Sequence, residues 1–212
     1  MLIYRKGNIM ENAVIYIHGT GGNAEEAVHY QPFFHDCDVI GFPYTAQSPW
    51  EAKEEFPRFF DAVFQNHRGV SVIANSIGAF FAMSALPEKR IKCAYFISPV
   101  VDMERLIMDM MGWANVTEEE LRQQKEIQTP FGETLSWAYL CYVRKHPIEW
   151  TIPTHILYGE KDNLTSLETI LTFANKTNST LTVMKGGEHW FHTEEQMDFL
   201  DRWISQLATS LV

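Results

Sequence analysis

The sequence holds only three cysteines, Cys37, Cys93 and Cys141, and no C-x-x-C pair. That spacing excludes a disulfide-stapled scaffold, and it reads as reduced, mostly buried thiols in a cytoplasmic protein. Positive charge is also scarce. Seventeen Lys and Arg stand against 27 Asp and Glu, a formal net charge of −10, so a nucleic-acid surface is not expected. Long apolar runs are missing too. The longest uncharged window, residues 69–87, contains Asn75, two glycines and three serines. It reads as strand, turn and helix rather than as a membrane span. The N-terminal MLIYRKGNIMENAVIYIHG meets charge at Arg5 and has no apolar stretch before a small-residue cleavage site, so no signal peptide is expected. Internal repeats and low-complexity segments are absent.

Hydrophobic residues make up 46% of the 212 positions, enough for a large core in one domain. Short apolar runs alternate with helical patterns. Strands are expected at 13–17, 37–42, 70–74, 93–98, 155–158 and 181–184. Helices are expected at 51–66, 77–86, 166–176 and 194–207. Strands that are apolar on both faces, each followed by a helix, imply an α/β fold with a parallel sheet covered on both sides. Sites in such sheets form beyond the carboxyl ends of the strands. Residues 102–150 break the alternation with helical patterns and no convincing strand. They read as an inserted helical cap between two parts of one core, 1–101 and 151–212.

Four strand ends carry candidate chemistry. After the first strand comes His18-Gly19-Thr20-Gly21-Gly22-Asn23. It matches the start of a dinucleotide fingerprint, but the next strand ends in Gly41-Phe42-Pro43-Tyr44 without the acidic residue that fingerprint requires. It also fits a loop of backbone N–H groups that holds an oxyanion, with His18 fixing the loop. A plain glycine turn is the third possibility. After strand 70–74 comes Ala74-Asn75-Ser76-Ile77-Gly78. Small residues two before and two after a serine let strand and helix nearly touch, which is the geometry of a nucleophile elbow. Ala74 stands where glycine is usual. The bend would expose Ser76 Oγ and point the Ile77 N–H at the same space.

After strand 155–158, Gly159-Glu160-Lys161-Asp162 offers a carboxylate to orient an imidazole. Asp162 competes there with Glu160, and Asp102 after the 93–98 strand is a further candidate. After strand 181–184 comes Gly186-Gly187-Glu188-His189-Trp190-Phe191-His192. Without H-E-x-x-H or a third ligand nearby, the two histidines do not read as a metal site.

HGTGGN, ANSIG, YGEKD and GGEH, in this order, resemble the four signature segments of the α/β-hydrolase superfamily, across a span from about residue 13 to the last helix. The order Ser76, Asp162, His189 is the one that superfamily uses. The resemblance implies a mostly parallel sheet with helices on both faces, its early strands reduced. It also implies a cofactor-independent serine hydrolase acting on a small ester, thioester or amide, carboxylesterase-like in character. Ser76 would be the nucleophile, His189 the base, Asp162 its partner, and the Thr20 and Ile77 N–H groups the oxyanion hole. Trp113, Trp137 and Trp190 are candidates for an apolar substrate wall that also draws on Met108, Met110, Met111, Tyr139 and Tyr142. A non-catalytic hydrolase-fold binding protein and a dinucleotide-binding oxidoreductase are the competing readings.

Overall fold

The computed structural model describes residues 11–86 and 91–208. The signal-peptide reading falls largely on residues 1–10, outside the described residues. Six strands form one sheet: β1 (Asn12–Ile17), β2 (Cys37–Gly41), β3 (Gly69–Asn75), β4 (Ile91–Ile97), β7 (Thr154–Gly159) and β8 (Thr180–Met184). Their order is β2-β1-β3-β4-β7-β8, and every pairing is parallel. The period-2 geometry of a strand sends alternate side chains to opposite faces. Ile15, Ile17, Val72 and Ala74 therefore enter one core, while Val14, Tyr16 and Ile73 enter the other. The chain leaves β1 toward β2 and later toward β3 on its other side. That reversal opens a crevice at the carboxyl ends of β1 and β3.

Helices cover both faces. Helix α1 (Pro49–Asn66) starts where the Ser48 hydroxyl accepts the Glu51 N–H at 3.3 Å, with Pro49 in the first turn. It buries Phe56, Phe60 and Val63 and packs on α2 (Ile77–Ala85). Helix α6 (Leu167–Thr177) shares that face through Ile170 and Phe173. The opposite core is closed by a 3-10 helix, Ala24–Phe33, and by α7 (Glu194–Ala208), through Tyr30, Leu200, Trp203 and Ile204.

The segment between β4 and β7 contains α3 (Met103–Trp113), α4 (Glu118–Gln124) and α5 (Trp137–Lys145). A capping box opens α4. The Glu120 N–H donates to Thr117 Oγ1 at 3.3 Å, and the Thr117 N–H donates to Glu120 Oε2 at 2.8 Å. The segment is not wholly helical, however. β5 (Glu126–Gln128) and β6 (Thr134–Ser136) pair as an antiparallel hairpin. Three-residue strands are too short for alternation to show, and Thr129-Pro130-Phe131-Gly132 is the turn chemistry that marks them. Gly132 takes φ 93°, which a side chain would oppose. Leu121, Leu135, Leu140 and Val143 of this segment are buried in the same core as α1 and α2. Arg144 on α5 donates to Glu104 and to Glu118, both at 2.7 Å, and so ties α5 to α3 and α4.

Gly112 lies inside α3 with open space where a Cβ would go. Gly112→Ala removes glycine's backbone entropy cost without a clash. It is expected to raise unfolding stability by about 0.5–1 kcal/mol, read from the urea midpoint. A lower midpoint would contradict this.

Candidate active site

Ser76 sits between β3 and α2 with φ 52° and ψ −121°. Positive φ in a non-glycine residue costs on the order of 1–3 kcal/mol and must be held by its surroundings. Here the Ser76 N–H donates to the Ile97 carbonyl at 3.0 Å, and the Ser76 carbonyl accepts the Val100 N–H at 3.1 Å. The start of α2 lies close against the backbone at the end of β1. A Cβ on Gly78 would lie 2.4 Å from the His18 carbonyl oxygen, so no larger residue fits there. Ala74 is completely buried and fills the position where glycine is usual.

His189 follows the Gly186-Gly187 turn after β8. Its Nε2 lies 2.8 Å from Ser76 Oγ, and its Nδ1 lies 2.7 Å from Asp162 Oδ2. With the ring proton on Nδ1, His189 donates to Asp162 and leaves Nε2 to accept the serine hydroxyl. The Asp162 side chain is fully buried, and its other oxygen accepts the Leu164 and Thr165 N–H groups at 2.8 and 3.0 Å. The rival carboxylates are engaged elsewhere. Glu160 accepts the Gly186 N–H at 2.9 Å, and Asp102 caps α3 by accepting the Arg105 N–H at 2.9 Å. His192 donates through Nδ1 to the Trp190 carbonyl and stacks on the Trp190 ring.

The loop after β1 lies against the elbow. A Cβ on Gly19 would meet Ser76 Cβ at 3.1 Å, a tight contact that glycine avoids. His18 holds the loop's start. Its ring stacks on Tyr44 at 4.2 Å, its Nδ1 bonds the Gly19 carbonyl at 2.9 Å, and its own carbonyl accepts the Tyr44 hydroxyl at 2.8 Å. Among the described residues the Thr20 N–H has no acceptor. Ile77 is the first residue of α2, where the amide has no partner within the helix.

A cleft of about 690 Å³ opens over Ser76 and His189. Ile97, Leu164, Phe191, Met197 and Leu200 supply its apolar wall, and Trp190 its rim. Trp113 and Trp137 do not line it. Trp113 is exposed and packs edge-on to Phe131, while Trp137 packs against the core. Met108, Met110, Met111, Tyr139 and Tyr142 are likewise absent from its lining. Tyr16, Glu26 and Glu133, which no motif in the sequence marks, do line it. The Tyr16 hydroxyl donates to Glu26, and burial pushes the Tyr16 phenol far above its ordinary range, so it remains a donor.

No family model matches the sequence, and no curated protein matches it. Solved structures do. Alpha/beta hydrolase domain-containing protein 10 from mouse is 17% identical with a TM-score of 0.74, over 94% of this chain and 90% of that one. Est1E from Butyrivibrio proteoclasticus is 16% identical with a TM-score of 0.73, over 97% and 90%. The esterase Pf2001 from Pyrococcus furiosus is 19% identical with a TM-score of 0.61, over 94% and 80%.

Proposed function

The chain has the α/β-hydrolase fold, and on that frame we propose that it is a serine hydrolase acting on a small, partly apolar ester, thioester or amide. The observation that carries this reading is the unbroken line from Asp162 through His189 to Ser76, with links of 2.7 and 2.8 Å. A serine hydroxyl is a weak nucleophile. His189 takes its proton as Oγ attacks the carbonyl carbon, and Asp162 stabilises the imidazolium that forms. The N–H groups of Thr20 and Ile77 receive the oxyanion. Each such donor contributes about 3 kcal/mol of transition-state stabilisation. His189 then returns the proton to the leaving group, and water cleaves the acyl-enzyme by the same steps in reverse.

The chemistry needs no cofactor. The apolar wall supports a carboxylesterase-like preference, and residues 102–150 would act as the cap that limits substrate size. No helix among the described residues is long and apolar enough to cross a membrane. The three thiols are free, which suits the cytoplasm.

The test is intact mass after treatment with a fluorophosphonate, with p-nitrophenyl acyl esters of graded length in parallel. One adduct on the wild type, none on Ser76→Ala, and ester turnover are the expected results. A folded wild type that neither labels nor turns over would sink the reading in favour of a binding protein.

A further inference from the structure

The charge lining the Ser76 cleft is one-sided. Glu26 enters from the 3-10 helix after β1, and Glu133 enters from the β5–β6 turn. Among the described residues no lysine or arginine lines the cleft, and Lys161 and Lys185, in the loops that carry Asp162 and His189, are not part of its lining. Its two histidines are already matched to carboxylates. His29 Nε2 lies 2.8 Å from Asp201, and His189 is bonded to Asp162.

Glu26 is held in place rather than merely solvated. One oxygen accepts the Tyr16 hydroxyl, and the other accepts the Asn23 N–H at 3.2 Å. These bonds aim the carboxylate while leaving it exposed to the cleft. Glu133 differs. Its backbone is fixed by Thr129, whose Oγ1 accepts the Glu133 N–H at 3.0 Å, yet its carboxylate has no partner among the described residues. A third feature is independent of the acids. Trp190, beside His189, is 70% exposed, with one face against His192. An indole at a cleft rim attracts cations through its ring electrons. Two carboxylates in the lining and an exposed indole favour a positive group and disfavour a negative one.

We propose that the cleft selects substrates carrying a cationic group, an ammonium in the simplest case, and that Glu26 and Glu133 are the residues that select it. The inference rests on the hydrolase reading of the site. One ion pair at a partly solvated carboxylate plus one contact with an indole amounts to roughly a tenfold preference.

The test compares three esters of one short acid: the trimethylammonioethyl ester, its uncharged 3,3-dimethylbutyl isostere and the 2-sulfoethyl ester. The same three groups are also carried on the acyl side. The readout is the ratio of kcat/KM for the cationic and neutral members within each protein, so a general loss of activity cancels. Glu26→Gln and Glu133→Gln are the variants of choice, because glutamine removes the charge and, at position 26, its oxygen can accept the Asn23 N–H while its NH₂ donates to the Tyr16 hydroxyl oxygen. The expected wild-type ratio is about ten in at least one set, with the sulfonate slowest. It should fall toward one in the double variant and decline with added salt. A wild-type ratio of one or below in both sets, or a ratio unchanged in the double variant, would overturn the inference.

If the wild type hydrolyses no ester and takes no fluorophosphonate, the hydrolase reading fails instead. Equilibrium titration of the cationic and neutral esters then decides the charge question. Tighter binding of the cation, lost in the double variant, supports the inference, and equal binding sinks it.

Discussion

Asp162→Asn is expected to lower kcat for ester hydrolysis roughly 10⁴-fold while leaving the fold intact. The size follows from how the carboxylate is pinned. One of its oxygens accepts two backbone N–H groups, from Leu164 and Thr165. In the asparagine variant the amide oxygen must stay there, because an NH₂ group facing two N–H donors would leave all of them unsatisfied. The NH₂ is then turned toward His189 Nδ1, 2.7 Å from the present oxygen. That nitrogen must become the acceptor, so the ring proton moves to Nε2. A proton on Nε2 points at Ser76 Oγ and removes the base. KM should change little, since Asp162 does not line the cleft. A kcat loss below tenfold would mean that Asp162 does not set the imidazole tautomer. Asp162→Ala, by contrast, leaves the Leu164 and Thr165 amides without their acceptor and tests stability more than catalysis.

Gly159→Ala should damage both stability and rate. A Cβ there would lie 2.4 Å from the Glu188 carbonyl oxygen and 2.6 Å from that of Gly187. Both obstacles are backbone, so neither can swing away. The β7 and β8 loops must separate, at a cost of about 1–3 kcal/mol. These are the loops that carry Asp162 and His189, and the Lys161 N–H bonds the Gly187 carbonyl between them at 2.7 Å. A displacement near 1 Å at reacting groups costs about 100-fold in rate. The expected variant is folded, with a lower urea midpoint and kcat down by about two orders of magnitude. Gly112→Ala, which meets open space, is the matched control for glycine replacement itself. Unchanged turnover in Gly159→Ala would show that the two loops tolerate separation.

The strands were legible because each is a run of bulky apolar residues bounded by turn chemistry, and a parallel sheet buries such runs on both faces. Ser76 and His189 were legible because each sits in a short glycine-bearing segment at a strand end, where backbone geometry dictates residue type. The β5–β6 hairpin was not, since three residues per strand carry no readable period. Choosing among Asp162, Glu160 and Asp102 lay beyond any local pattern. All three follow strands, and which one meets the imidazole depends on the pairing of β7 with β8, where Gly159 lies opposite Met184. That register brings Asp162 under His189 and sends Glu160 to the Gly186 amide.

The cleft lining shows the same division. The expected tryptophans, Trp113 and Trp137, lie elsewhere, while Glu26 and Glu133 come together from segments more than a hundred residues apart. The sequence by itself determined the strands, their alternation with helices, and the sharp bend at Ser76, because those are set by neighbours along the chain. Only the tertiary structure brought one acid, Asp162, into contact with His189 and placed Glu26 and Glu133 in one cleft lining, because those depend on contacts between distant loops.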